Sequence, residues 1–372
     1  MNVIIIGTAY PLRGGIAHYV ALLAKYFQKA KHHVEIISFK RQYPKILFPG
    51  KTQEESGEEL FSIKAEMLID SINPFNWISV GNEIRKRKPD LIVFKYWLPF
   101  FGPSYGTIAA IAKHNKHTKV LMICDNIIPH EKRPGDSLFT KYIFHFADSA
   151  IVQSDSVEND LLTLFPKLPY RKIPHPVYEI FGESIPQSEA RKKIGITETE
   201  NVILFFGYVR AYKGLDVLLH TMKNVENITA LIVGEFYDNE KQYRSLAKEL
   251  NVENKVRFFS EYIANDEVKN YFSACDAVVL PYKTATQSGI AQIAFNFDKP
   301  VITTNVGGLA EIVPDGKAGF VVEPNNPEQL ATAISKFFSE NKKEEFTEQV
   351  KIEKKKYSWE NLVKAMEELM VR

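Results

Sequence analysis

The sequence predicts an α/β protein built from two doubly wound, parallel-sheet domains of similar size. Short apolar, β-branched segments alternate with helix-period segments along almost the whole chain. The alternation breaks once, between residues 166 and 196, at Pro166, Pro169, Pro174, Pro176 and Pro186, and then restarts. Glycine-bearing turns follow strand ends in both halves, where open parallel sheets hold their ligands.

In the first half, strands are expected at NVIIIG, HVEIIS, LIVFK, KVLMIC and AIVQS. They are short and continuously apolar, as strands covered on both faces are. Helical patterns lie between them at residues 16–30, 77–86, 105–112, 138–146 and 157–164. Such βαβ alternation implies parallel pairing through right-handed crossovers. RKIPH reads as the last strand of this half. The proline-rich segment after it reads as an interdomain linker, because proline stops helices and central strands alike. The second half repeats the scheme, with strands at NVILFFG, TALIVG, KVRFFS, AVVLPY, KPVITT and GFVVEP. Its helices are expected at 214–222, 239–250, 266–274, 290–296 and 327–338. Residues 40–70, with EESGEEL among them, are polar and irregular and read as an insertion or mobile loop. The domains are expected to span residues 1–180 and 181–356.

The 372 residues suffice for two domains, and 45% hydrophobic with 25% charged residues is a globular balance. A net charge of +2 leaves no global nucleic-acid signature. Cys124 and Cys275 sit in apolar strand contexts, so both read as buried thiols, with neither a disulfide nor a metal site implied. Scarce cysteine suits a reducing cytoplasm. The chain opens directly on a strand without a signal-type segment, and no apolar run approaches the ~18–20 residues that span a bilayer. These features predict a cytoplasmic protein, soluble or held peripherally at the inner face of the membrane. RKRK (85–88) ends a helix before Pro89, where cations complement the helix dipole. A solvated helix end is its first reading, and contact with anionic lipid is the alternative. KIEKKKYSW near the C-terminus reads as a solvated helix face.

Four motifs carry the chemistry. PLRGGIAHYV (11–20) follows the first strand and opens the first helix. Gly14 and Gly15 allow close backbone approach, and the helix start offers N–H groups to an anion. It is not the dinucleotide G-x-G-x-x-G, and Ser38, Phe39 and Lys40 end the second strand without an acid, so a dinucleotide dehydrogenase is disfavoured. FFGYVRAYKGLD (205–216) sets Arg210 and Lys213 at a strand-to-helix turn, a fork and a point charge suited to phosphate. TQSGIAQIA (286–294) is a small polar turn opening a helix. Its N–H groups could hold a sugar or phosphate oxygen, Gln287 and Gln292 could read hydroxyls, or Ser288 could be an ordinary N-cap. TTNVGGLAEIVPDGKAGFVV (303–322) places Gly307 and Gly308 in a tight turn. Glu311 in the next short helix could accept from a hydroxyl or complement the helix start. There is no D-x-D and no His/Cys cluster with metal-ligand spacing, so no metal is expected.

Taken together, GYVRAYKGLD, DAVVLPY, SGI, KPVITT, VGGLAEIV and DGKAGFVV, with RGGIAHYV and IPHPVY earlier, resemble glycosyltransferase family 4 over nearly the whole length. The family comprises retaining enzymes of GT-B architecture, two Rossmann-like domains facing across a cleft. The resemblance implies an N-terminal acceptor domain, a C-terminal donor domain, and a helix within residues 357–372 that crosses back to the first domain. It implies that Arg210 and Lys213 clamp the diphosphate of a nucleotide-sugar donor, with Gly14 and Gly15 approaching from the other domain. Ser288, Gly289 and Ile290 would lie against the donor sugar and phosphates, and residues 259–262 near the base. The acceptor hydroxyl, on a glycan or lipid-linked glycan, would attack on the leaving-group face, with the donor phosphate taking its proton. No protein nucleophile, metal or other cofactor is then needed.

Three departures stand out. Tyr208 occupies the place of a family arginine, for which Arg210 is the substitute. The two glutamates of the E-x7-E signature are missing, with Gln287 and Gln292 nearby as polar replacements; a TQSG form is compatible with activity. Asp125 stands where the family often has a histidine, and His130, further on, is the candidate to face the acceptor, with a structural role as the alternative. Trp97, Phe100 and Phe101 either line an acceptor entrance or simply pack. The expectation is a sugar transferase of polysaccharide or glycolipid biosynthesis. A sugar-nucleotide epimerase of the same architecture and a non-catalytic sugar-nucleotide-binding subunit are the alternatives.

Overall fold

A computed structural model describes residues 1–12, 14–44, 63–129, 133–286 and 288–371. They divide into two compact units, Met1–Pro176 with Ser358–Arg372, and Val177–Tyr357.

The first unit runs β1 (Asn2–Ile6), α1 (Gly15–Lys29), β2 (His33–Arg41), β3 (Ala65–Asp70), α2 (Pro74–Arg87), β4 (Leu91–Tyr96), α3 (Gly102–Ala112), β5 (Lys119–Cys124), α4 (Asp136–Phe144), β6 (Ser149–Val152), α5 (Asp155–Leu164) and β7 (Tyr170–Lys172). Its sheet has the order β3-β2-β1-β4-β5-β6-β7, and every pairing is parallel. The order reverses between β1 and β4. All six residues of β4 are buried, which explains its apolar run from Leu91 to Phe94. Helix starts are marked locally: the Asn73 side chain accepts from the Phe75 and Asn76 N–H groups ahead of Pro74, and Ser154 caps α5.

The expected irregular stretch at residues 40–70 is corrected at its far end. Ala65–Asp70 is an edge strand paired with β2, its register shifted near Phe39. Glu66 interrupts its apolar pattern because it faces out to meet Arg87. Residues 45–62 lie outside the described residues.

The second unit runs α6 (Gln187–Lys193), β8 (Asn201–Phe206), α7 (Leu215–Met222), β9 (Ile228–Val233), α8 (Glu240–Glu249), β10 (Val256–Phe259), α9 (Val268–Ala274), β11 (Ala277–Leu280), α10 (Gly289–Asn296), β12 (Val301–Thr304), α11 (Leu309–Ile312), β13 (Gly319–Val322), α12 (Pro327–Ser339) and α13 (Lys343–Glu353). The sheet order is β10-β9-β8-β11-β12-β13, all parallel, reversing between β8 and β11.

The presumed linker is not a bare connection. Its second half folds as α6, whose Arg191 is buried and pairs with Asp276 at 3.0 Å. Asp276 also accepts from Lys343 at 2.6 Å and from the Val202 N–H at 2.8 Å, tying α6, α13 and the start of β8 together. The expected solvated face around residues 351–359 is likewise corrected: Glu353, Tyr357 and Trp359 are buried, and Lys354 pairs with Asp298.

α14 (Trp359–Met370) groups with the first unit. Buried Trp359 stands edge-on to Tyr19 at 4.9 Å and stacks on Tyr26 at 5.9 Å, both on α1. Trp97, Phe100 and Phe101 pack with Phe39 and Tyr43 rather than standing free at an entrance. Both cysteines are buried and unbridged, and burial raises each thiol's pKa, that of Cys275 to about 12.

Candidate active site

In the second unit, the strand ends at the reversal of order gather three of the four motifs. β8 delivers the chain to Gly207, whose φ of +96° suits glycine. A Cβ there would stand 3.0 Å from the Lys213 Nζ and 3.2 Å from Ile290 Cδ1, so Gly207, Lys213 and Ile290 converge. Gly307 closes the turn after β12. A Cβ on it would meet the Ala285 carbonyl oxygen at 1.9 Å, and the Gly308 N–H donates to the Thr286 oxygen at 2.8 Å. The turn after β12 is thereby bound to the segment leading into α10.

Lys213 is 7% exposed, and no carboxylate among the described residues lies within ion-pair distance. Its nearest charged neighbour in effect is Arg210. Burial first, and the Arg210 charge second, pull its pKa from 10.5 down to about 7. Its ammonium lies 5.8 Å from the Tyr282 ring centroid. The Arg210 guanidinium lies over the Tyr237 ring at 4.6 Å, and Tyr237 stacks on Tyr208 at 4.7 Å. Arg210 also has no ion pair among the described residues. Two adjacent cations thus have no carboxylate partner among the described residues.

Ser288 corrects an expectation. It precedes α10, yet its side chain makes no cap; the hydroxyl donates to the Tyr282 oxygen at 3.4 Å instead. No acid stands in the first turn of α10, so that turn carries no negative charge of its own against the partial positive charge of the helix start. Gly289 lies against the Tyr178 ring. Glu311 is exposed in the first turn of α11. Residues 259–262 leave the end of β10, two strands from β8, and the Phe259 oxygen accepts from the Gly234 N–H.

Gln292 does not read hydroxyls at a surface. It is wholly buried in α10, and both atoms of its amide lack a hydrogen-bond partner among the described residues. An enclosed amide without partners opposes folding. Gln292→Met is therefore expected to stabilise the chain by about 1–3 kcal/mol. A thermal melt of the variant checks this, and a lowered midpoint would mean that the amide is satisfied in the folded protein. Gln287 and His130 lie outside the described residues.

In the first unit, Gly14 caps α1 without a side-chain bond, and Gly15 begins the helix; no acid stands in its first turn. Sequence reasoning missed Lys95. It is 1% exposed on β4, 2.5 Å from Asp125, 3.4 Å from Gln153 and 3.5 Å above the Tyr19 ring. Burial, then the Lys95 charge, lower the pKa of His175 to about 3, so this neighbour of Tyr19 is neutral. The missed aromatic Tyr237 did have a signal: like Tyr208 after Gly207, it follows closely on a strand-end glycine, Gly234. Lys95 had none, since one lysine in an apolar strand does not reveal its partner. Among the described residues, no group of three or more His, Cys, Asp or Glu is placed to hold a metal ion.

Two family models match the chain in tandem: Glycosyltransferase Family 4 over residues 13–178 and Glycosyl transferases group 1 over residues 186–357. The chain belongs to glycosyltransferase family 4. An uncharacterised glycosyltransferase of Methanocaldococcus jannaschii is 22% identical over 98% of this chain and 96% of its own. A D-inositol 3-phosphate glycosyltransferase of Corynebacterium urealyticum is 29% identical over 50% of this chain and 47% of its own. The fold of this glycosyltransferase is GT-B. The Anabaena protein HepE, solved with UDP, superposes at a TM-score of 0.78 with 17% identity, covering 100% of both chains. Sucrose-phosphate synthase of Thermosynechococcus elongatus gives 0.73 with 19% identity, covering 99% and 98%.

Proposed function

We propose that this family 4 chain is a retaining, metal-independent glycosyltransferase that moves a sugar from a nucleoside-diphosphate sugar to a hydroxyl of a glycan or lipid-linked glycan. The observation that carries this reading is the buried Lys213 beside Arg210, neither with a carboxylate partner among the described residues, in the turn after β8. When the sugar C–O bond breaks, negative charge gathers on the leaving diphosphate. Arg210, Lys213 and the α10 start at Ser288, Gly289 and Ile290 are fixed dipoles and charges suited to that moment, which is electrostatic preorganisation. Fixed cations take the role a divalent ion plays elsewhere. The acceptor hydroxyl passes its proton to the leaving phosphate, so the chain supplies no nucleophile. The start of α1 at Gly14 and Gly15 offers backbone N–H groups suited to an anion, and Glu311 takes a donor hydroxyl. That HepE was solved with UDP favours a nucleoside diphosphate as the leaving group.

The test is thermal stabilisation by UDP, GDP, ADP and dTDP, each at millimolar concentration with EDTA present, followed by transfer from the matching sugar donor. One nucleotide is expected to raise the melting midpoint, since ligand bound only by the folded state adds RT ln(1 + [L]/Kd). Arg210→Ala is expected to lose that shift and at least about tenfold in transfer, at one to two charge-assisted bonds of roughly 1.5–3 kcal/mol each. Retained transfer by the variant would remove Arg210 from the clamp. A donor turned over to free nucleotide and an epimerised sugar without acceptor would replace transfer by epimerisation. Binding without any turnover would make the chain a sugar-nucleotide-binding subunit.

A further inference from the structure

We propose that Tyr237 is a positioning residue for the diphosphate clamp: its ring, backed by Tyr208, is a shelf that holds the Arg210 guanidinium in place without spending its N–H donors on a carboxylate. The proposal deepens the transfer reading and rests on it for the ligand. The shelf itself rests on the geometry of the second unit alone.

The backbone builds the shelf. β8 and β9 run side by side to Phe206 and Val233 and then reach Gly207 and Gly234. The two chains come so close there that a Cβ on Gly234 would fall 2.4 Å from the Gly207 carbonyl oxygen. Pairing then resumes for one step. Val209 bridges Phe236 in parallel; its N–H donates to the Glu235 oxygen at 2.9 Å, and its own oxygen accepts from the Tyr237 N–H at 3.1 Å. Side chains alternate across such a ladder. Val209 and Phe236 pack on the core, so Tyr208, Arg210 and Tyr237 share the other face. On that face the rings of Tyr208 and Tyr237 stack with centroids 4.7 Å apart and planes at 26°. The Arg210 guanidinium carbon lies 4.6 Å from the Tyr237 centroid. Packing alone does not account for the pair. Both rings are only half-buried, and the core contacts of this ladder are made by Val209 and Phe236.

The kind of contact matters for an anion site. A carboxylate would also fix a guanidinium, but it would occupy the N–H fork and cancel the charge that a diphosphate needs. The face of a tyrosine ring attracts the cation through its quadrupole and offers no acceptor that competes with phosphate oxygens. Arg210 accordingly has neither an ion pair nor a side-chain hydrogen bond among the described residues.

Arg210 would not stay in place unaided. Lys213 is buried and of the same sign; burial first, and the Arg210 charge second, lower its pKa. Repulsion between them favours rotamers of Arg210 that swing into solvent, and a long flexible side chain has many. The ring opposes both tendencies. The clamp is then assembled before the anion arrives, which is what electrostatic preorganisation requires.

The test pairs two variants of the full chain with two readouts. Tyr237→Leu keeps bulk and removes the ring, and Tyr237→Phe keeps the ring. The first readout needs no ligand. With isotope-labelled arginine, the Arg210 Nε–H NMR signal, assigned by its loss in Arg210→Lys, is expected upfield under the ring current. It is expected to move downfield in Tyr237→Leu and to stay in Tyr237→Phe. The second readout is titration with UDP and with inorganic pyrophosphate. Tyr237→Leu is expected to weaken both roughly three- to thirtyfold, the range of a cation–π contact from exposed to desolvated, and Tyr237→Phe by less than about twofold. Tyr237 is half-buried, and circular dichroism should show the fold unchanged in both variants. An Arg210 signal that Tyr237→Leu leaves in place overturns the proposal. So does unchanged binding by that variant when the parent binds. A phenylalanine variant as weak as the leucine one also overturns it, because the effect would then belong to the hydroxyl. If the parent binds neither probe, the transfer reading fails at its clamp, and the Arg210 signal alone decides the shelf.

Discussion

Replacing Lys213 with methionine is expected to stabilise the unliganded chain near pH 6–7 and, in the same protein, to abolish stabilisation by nucleoside diphosphates. The two effects have opposite signs and one cause. Burial and Arg210 lower the Lys213 pKa from 10.5 to about 7. The unfolded chain therefore binds more protons than the folded one between those values. Stability rises with pH across that window, and the burden of the buried cation is complete below about pH 7. At about 1.4 kcal/mol for each pKa unit, removing the charge should return on the order of several kcal/mol near pH 6. A bound diphosphate supplies the missing counter-charge, raises the Lys213 pKa again and draws a proton from solution. Calorimetry of nucleotide binding near pH 8.5, in two buffers of different ionisation heat, is expected to show about one proton taken up. A methionine variant that melts lower than the parent and still responds to nucleotide would refute both the buried-cation account and the clamp.

Asp276→Ala is expected to be the most destabilising single change discussed here, although it is remote from the motifs. The carboxylate is buried, and it meets Arg191, Lys343 and the Val202 N–H together. Removing it leaves the buried Arg191 guanidinium without its charge partner, a loss of about 3–5 kcal/mol. For a unit of this size, the melting midpoint should fall by roughly 6–20 °C. Lys343→Ala should cost far less, because that ammonium is 43% exposed and can return to water. The pH dependence has the opposite sense to that of Lys213. Burial opposes the Asp276 charge, but the Lys343, Val202 and Arg191 contacts outweigh it and lower the pKa. Its stabilisation is complete above the ordinary carboxylate pKa near 4 and is lost as the pH falls through the lower folded value. Acid melts of parent and variant should therefore converge below that range. A difference in melting midpoint that persisted undiminished at pH 2 would refute the assignment.

The two largest expected effects thus fall on different kinds of residue, and they differ in how far the sequence disclosed them. Lys213 was named from its turn; Asp276 was not named at all. In DAVVLPY it reads as a polar residue before a strand, and its partners lie at positions 191, 202 and 343, beyond any local pattern.

The sequence by itself determined the fold class, the central strands and the glycine turns that follow β8 and β12. β1, β8 and β11 are covered on both faces, which forces apolar runs, and glycines had to stand where the chain leaves β8 and β12. Only the tertiary structure decided the rest. β3 hid because an edge strand may carry Glu66 outward, and α6 hid among prolines because its anchor, Arg191, finds Asp276 through space. It also decided that Gln292 is sealed in, that Ser288 turns to Tyr282 and that Lys213 has no counter-ion among the described residues. The physical reason is common to all of these. Backbone periodicity and turn geometry are local, so they are written in neighbouring residues. Burial and the balance of charge depend on which distant groups exclude water, and only the packed chain decides that.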